Sequence, residues 1–223
     1  MFSENIPFNS NNLIMKKTGL LFFIGLILTI NVYAKRLQGE LLLEHDTLKV
    51  TFKIPVSLFS KEINYEKLQR KIQYFDSIDN KVVLKPEYAR EIRFNYRDEE
   101  IRMLSRLSPQ RLHDLFSKNH YFFLKLETDG RLKLFRYYYT ENSPEVYDAS
   151  GEIISGGYSY SADKYILQKL NEDLYIPKIL SFRKDMMKYF QDCPELSHKI
   201  ETREYRKRDM VNIVRYYNSA CMN

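Results

Sequence analysis

The sequence predicts an α+β protein: an antiparallel β-rich domain of hairpins and meanders, followed by a C-terminal segment of two to three helices stapled by a disulfide. Three observations predict it. Apolar and polar residues alternate through much of 36–139, the period of strands with one buried and one wet face. Tyr (18) and Phe (14) are abundant and Trp is absent, a composition that suits half-buried sheet surfaces. After Pro177 the apolar spacing becomes helical, and both cysteines, Cys193 and Cys221, fall in this last stretch.

Taken in order, residues 1–34 are expected to be a signal peptide. Lys16 and Lys17 form a basic start, 20–30 an apolar run, and Val32-Tyr33-Ala34 a cleavage motif, so that cleavage falls between Ala34 and Lys35. The fourteen residues before Met15 are polar, with Glu4 and four Asn, which makes Met15 the expected start. The alternative is an uncleaved helix anchoring the chain in the inner membrane. Export to the periplasm or cell surface is the expected localisation.

Residues 35–223 suffice for one domain with a helical appendage: a β-rich domain over 35–177 and a helical cap over 178–223. Residues 38–44 and 47–54 read as strands joined at His45-Asp46, with Leu48, Val50, Phe52 and Ile54 on one face. Pro55 is expected to stop the second strand because it has no N–H to donate. Short strands are expected at 71–75, 81–84, 91–96 and 101–105, with Asp79-Asn80 as a turn. The segments 121–127 and 131–137 flank Asp129-Gly130, a dipeptide suited to the positive φ angles of a tight hairpin. Residues 140–157 are polar, with Pro144 and three Gly, and read as a loop. A last hairpin is expected around Asn171-Glu172, ending at Pro177.

Beyond Pro177, Ile179, Phe182, Met186, Met187 and Phe190 share a helical face. Pro194 suits the first turn of a second helix, and a third runs over 208–220 with Met210, Ile213, Val214 and Tyr217 on one side. An even cysteine count in an oxidising compartment makes a Cys193–Cys221 disulfide the default, with two unpaired buried thiols as the alternative. Closing a loop of about 29 residues is worth ~3–4 kcal/mol. The pair would tie the first helix's end to the third's.

Chemistry is sparse. No catalytic residue and no cofactor or metal site is assigned. His113, Asp114 and Ser117 are too close in sequence to face one another as a triad. Glu195 and His198 give a single Glu-x-x-His, where carboxylate-bridged di-metal bundles need two. Two clusters qualify as a binding surface: Tyr137, Tyr138 and Tyr139, able to stack on sugar rings, and Arg203, Arg206, Lys207 and Arg208, able to meet an anionic surface. The blander reading is sheet packing for the first and a solvated turn for the second. The net charge is +6, and +5 once Lys16, Lys17 and Glu4 leave with the leader. In an exported chain this excludes nucleic acid and leaves an envelope protein, a glycan or an anionic lipid surface as partner classes. A binding or interaction module is the leading function; a small periplasmic hydrolase is the alternative.

Phe190-Gln191-Asp192-Cys193-Pro194-Glu195-Leu196, Lys199-Ile200, Tyr205, the run from Ile213 to Asn218, and Cys221 form a characteristic tail. With Gly39, Asp46-Thr47-Leu48, the stretch from Pro86 to Phe94 and the Phe123–Leu134 hairpin, it resembles a group of uncharacterised exported proteins typical of Bacteroidota. The resemblance implies an exported α+β protein with a helical, cysteine-bearing C-terminus, and it implies no reaction.

Overall fold

The computed structural model of the chain describes residues 33–58, 60–108, 120–170 and 172–221. The leader lies outside them except for Tyr33 and Ala34, as do His113, Asp114 and Ser117. β1 (Tyr33–Leu42) and β2 (Thr47–Val56) form the first hairpin, closed by the Leu43 N–H on the Asp46 carbonyl at 2.8 Å. Helix α1 (Tyr65–Arg70) then crosses to β3 (Ile72–Phe75) and β4 (Lys81–Leu84), with Asn64 capping α1 through the Lys67 N–H at 3.0 Å. β5 (Glu91–Tyr96), β6 (Glu99–Leu107), β7 (Tyr121–Thr128) and β8 (Leu132–Asn142) continue the meander. A small separate hairpin, β9 (Val146–Tyr147) and β10 (Ile153–Ser155), precedes β11 (Ser159–Lys169). The main sheet has nine strands, in the order β11-β8-β7-β6-β5-β1-β2-β3-β4, and every pairing in it is antiparallel.

Three helices complete the chain: α2 (Phe182–Tyr189), α3 (Pro194–Glu201) and α4 (Met210–Ala220). Cys193 and Cys221 are joined, with Cα atoms 5.5 Å apart. Met186, Phe190, Leu196, Ile200, Met210, Ile213, Val214 and Tyr217 pack on Leu132 and Leu134 of β8 and Leu167 of β11. The same sheet face carries a second core nearer β1, where Leu41, Phe52, Ile54, Ile92, Phe94, Met103 and Phe123 close over Leu68 of α1. A smaller cluster on the opposite face gathers Leu104, Phe122, Leu124, Phe135, Tyr137 and Ile166. Elsewhere that face is polar: the Glu91 carboxylate accepts from the guanidinium groups of both Arg93 and Arg102, each through Nε at 2.6 Å.

Several expectations are corrected. β2 runs one residue past Pro55, which sits opposite Ala34. Its carbonyl accepts from the Asn64 N–H, on the side away from β1. In a strand the N and O of one residue point the same way, so the missing N–H costs the β1 ladder nothing. The span read as a loop, 140–157, contains the end of β8 and the β9–β10 hairpin. The hairpin expected around residue 171 shrinks to one bridge between Leu167 and Tyr175. Ile179, expected on the buried face of the first cap helix, precedes α2 and is exposed. The third cap helix begins at Met210, after a 3₁₀ turn at Lys207–Asp209.

The Asp129-Gly130 turn also differs. Gly130 alone has a positive φ, +150°, and the β7–β8 register shifts between Leu126 and Thr128. A tight turn of the expected kind needs two positive φ angles. Here the α4 side chain of Asn218 completes the turn instead. It accepts from the Leu132 N–H at 2.9 Å and donates to the Leu132 carbonyl at 2.9 Å. A Cβ on Gly130 would run into the Asn218 amide.

Candidate functional site

Strand β11 is the outer strand at one edge of the sheet. Its pairing with β8 is unbroken over eleven residues, so backbone direction alternates strictly along it. Leu167 exchanges both backbone bonds with Tyr175, at 2.8 and 2.7 Å, and therefore points away from β8. By alternation, the N–H and C=O of Ser159, Ser161, Asp163 and Tyr165 point outward too. No backbone bond of the described residues meets those outward groups. Tyr175 covers the edge at Leu167, and two residues later Pro177, unable to donate, leads the chain away.

Where the covering segment departs, a cleft of about 700 Å³ opens. Asp163, Lys164 and Tyr165 form its sheet side, with Tyr139 and Glu141 of β8. Ile176, Pro177, Ile179, Phe182 and Met210 give it apolar walls, and Lys207 and Arg208 give it a cationic rim. The Lys164 ammonium lies 5.2 Å from the Tyr139 ring centroid, and burial pushes its pKa down. The Tyr165 hydroxyl accepts from the Arg136 guanidinium at 2.8 Å, which fixes the ring.

Of the residues singled out in the sequence, Tyr139, Lys207 and Arg208 meet here. The other four do not. Tyr137 is 4 % exposed, edge-on to Phe122. Tyr138 faces the opposite way and stacks on Tyr65 at 4.6 Å, so only one of three consecutive tyrosines reaches the cleft. The Arg206 N–H donates to the Asp209 carboxylate at 2.9 Å, and its Nε donates to the Arg203 carbonyl at 3.4 Å. Arg203 occupies the turn after α3 with φ +67°. His198 lies exposed beside Glu201, 3.6 Å away.

Tyr138 also explains a buried polar residue that the sequence gave no reason to single out. β7 and β8 pair only as far as Lys125 and Arg136. Beyond that point Gln69 of α1, 1 % exposed, fills the split. It accepts from the Tyr138 N–H at 2.7 Å and donates to the Tyr138 carbonyl at 2.9 Å. A side-chain amide replaces a strand here, and it holds α1 to the sheet.

Beside the cleft the β9–β10 hairpin projects with unusual chemistry. Between Arg136 and Lys164 there is no cation but five acids: Glu141, Glu145, Asp148, Glu152 and Asp163. Val146, Tyr147, Ile153, Ile154 and Tyr158 are each at least half exposed on it. Its tip is ordered by Asp148, whose Oδ1 accepts from the N–H groups of Ser150 and Glu152 at 2.8 and 2.9 Å. The open edge is thus flanked by a basic rim on one side and an acidic, apolar hairpin on the other. No family model, curated protein or solved structure matches the chain.

Proposed function

We propose that this chain is an exported, non-enzymatic interaction module of the cell envelope, related to the Bacteroidota group that its tail resembles. It takes up an extended segment of an envelope protein as an additional strand beside β11. The observation that carries this reading is the coincidence of an unpaired strand edge with a cleft. Strand addition draws affinity from main-chain bonds and selectivity from pockets for alternate side chains. The outward N–H and C=O groups at Ser161, Asp163 and Tyr165 supply the former, and the Ile176, Phe182 and Met210 walls the latter. Charge sets the expected partner: an acidic side chain near Lys207 and Arg208, a basic one near Glu141 and the hairpin. The Cys193–Cys221 disulfide supports an oxidising compartment.

Proline at residue 161 tests it. The Ser161 N–H points outward, so Ser161→Pro removes a donor for an added strand while leaving the β8 ladder intact. Capture from envelope extracts by the wild-type chain, followed by amide exchange on the isolated complex, is expected to protect Ser161, Asp163 and Tyr165. Ser161→Pro is expected to keep the melting temperature and lose the partner. A partner retained equally by Ser161→Pro, or a complex without protection at those amides, would overturn the proposal.

A further inference from the structure

Far along the sheet from β11, a second pocket of about 390 Å³ lies over the start of β1. Its floor is Ala34, Lys53, Pro55 and Gln73, which share the solvated sheet face: Ala34 is opposite Pro55, and Lys53 opposite Gln73. Lys67 and Arg70, one turn apart on α1, and Lys71 just after it form the wall with Leu68. Among the described residues the lining therefore holds four cationic side chains and no carboxylate, whereas the β11 cleft mixes both signs. Arg36, two residues along the same face of β1, pairs with Asp79 at 3.4 Å, and Lys35 turns to the other face over the Tyr96 ring.

The position of this pocket identifies its counterpart. The apolar run ends at Ile30, four residues before Ala34 on the pocket floor. Four residues reach at most ~14 Å even when fully extended. A leader held in a bilayer therefore keeps the pocket rim within ~14 Å of the headgroups, close enough to close on them, and a cation that reaches the anionic surface gains ~1 kcal/mol. Cleavage after Ala34 would remove that tether and Ala34 itself, and would leave the four cations alone to hold the surface.

We infer that the Lys53–Lys67–Arg70–Lys71 pocket docks the chain onto anionic phospholipid headgroups at the membrane surface. The inference shares the envelope location of the proposed function but not its β11 edge, so failure of the Ser161→Pro experiment leaves it standing. The test uses the protein as its cells process it, in vesicles of phosphatidylcholine alone or with equimolar phosphatidylglycerol. A water-soluble amine-acetylating reagent is applied, and each lysine is read by mass spectrometry. With phosphatidylglycerol, Lys53, Lys67 and Lys71 are expected to react about fivefold more slowly, the factor that ~1 kcal/mol per cation gives. Lys184 and Lys199 are expected to be unchanged, and ~1 M salt to abolish the difference. Equal labelling in the two vesicles would overturn the inference. So would slowing spread over Lys184 and Lys199, which marks non-specific adhesion. Protection by glycerol phosphate without vesicles would overturn it as well, and would assign the pocket to a soluble anion.

Discussion

β8 and β11 remain paired for eleven residues, yet the two ends of this ladder are held by opposite means. At the Leu132–Lys169 end the sheet is roofed by the stapled helices. Leu132, Leu134 and Leu167 are fully buried, and the Lys169 ammonium donates to Asp192 and to the Tyr189 carbonyl, each at 2.8 Å. The Tyr217 hydroxyl donates to the same Asp192 carboxylate at 2.6 Å. At the Asn142–Ser159 end no helix among the described residues arrives, and the hairpin there displays its apolar side chains to solvent. The same two strands are thus anchored at one end and presented at the other. A long paired ladder that ends in exposed apolar and unpaired groups is what the proposed strand addition would use.

The sharpest way to break this comparison is to delete one aromatic ring from each end. Phe190→Ala, at a fully buried site, is expected to cost about 3–5 kcal/mol. Tyr147→Ala on the hairpin is expected to change stability by less than about 0.5 kcal/mol. Chemical denaturation of both variants reads the difference, and equal losses would mean that the hairpin is structural after all.

The next effect belongs to the staple. Cys193→Ala with Cys221→Ala is expected to cost about 3–4 kcal/mol and to raise amide exchange in α2–α4 more than in the β9–β10 hairpin. Uniform loosening of both regions would show that the cap and the presented end are not separable.

The smallest effect is electrostatic and sits near the anchored end. Burial works against the charged form of Asp129, but Lys133, Arg102 and the Gly130 N–H hold its pKa down at about 2. Burial likewise opposes ionised Glu91, and hydrogen bonds from Arg102 and Arg93 prevail and hold its pKa below the ordinary value. A carboxyl depressed in the folded state contributes stability above its unfolded pKa of ~3.9 and loses it as pH falls through the folded value. The chain is therefore expected to lose stability between about pH 4 and 2. Asp129→Asn is expected to flatten part of that slope in acid titrations followed by circular dichroism; an unchanged slope would remove Asp129 from the account.

Much of this arrangement was legible in the sequence where local chemistry decides it. The alternation of Val50, Phe52 and Ile54 announced the buried face of β2, and Pro194 and the spacing of Met210, Ile213, Val214 and Tyr217 announced α3 and α4. Long-range substitutions were not legible. The turn at Arg97-Asp98 holds two non-glycine residues at positive φ, 51° and 65°, and neither advertises a tight hairpin. Asn218 completing the β7–β8 turn and Gln69 replacing a strand beside Tyr138 depend on packing that no local pattern encodes. The cleft was half legible. Tyr139, Lys207 and Arg208 were singled out by composition, but three consecutive tyrosines in a strand must face alternate ways, and only backbone direction along β11 shows where the edge is open.

The opening of β1 carries a consequence for biogenesis. Ala34 is opposite Pro55 and Lys35 opposite Ile54, so the expected scissile peptide is already woven into the fabric of the finished sheet. A peptidase must draw its substrate into its own groove, which a bond zipped to a neighbour does not permit. Were a leader removed at this bond, its trimming would have to outrun the closing of the first hairpin.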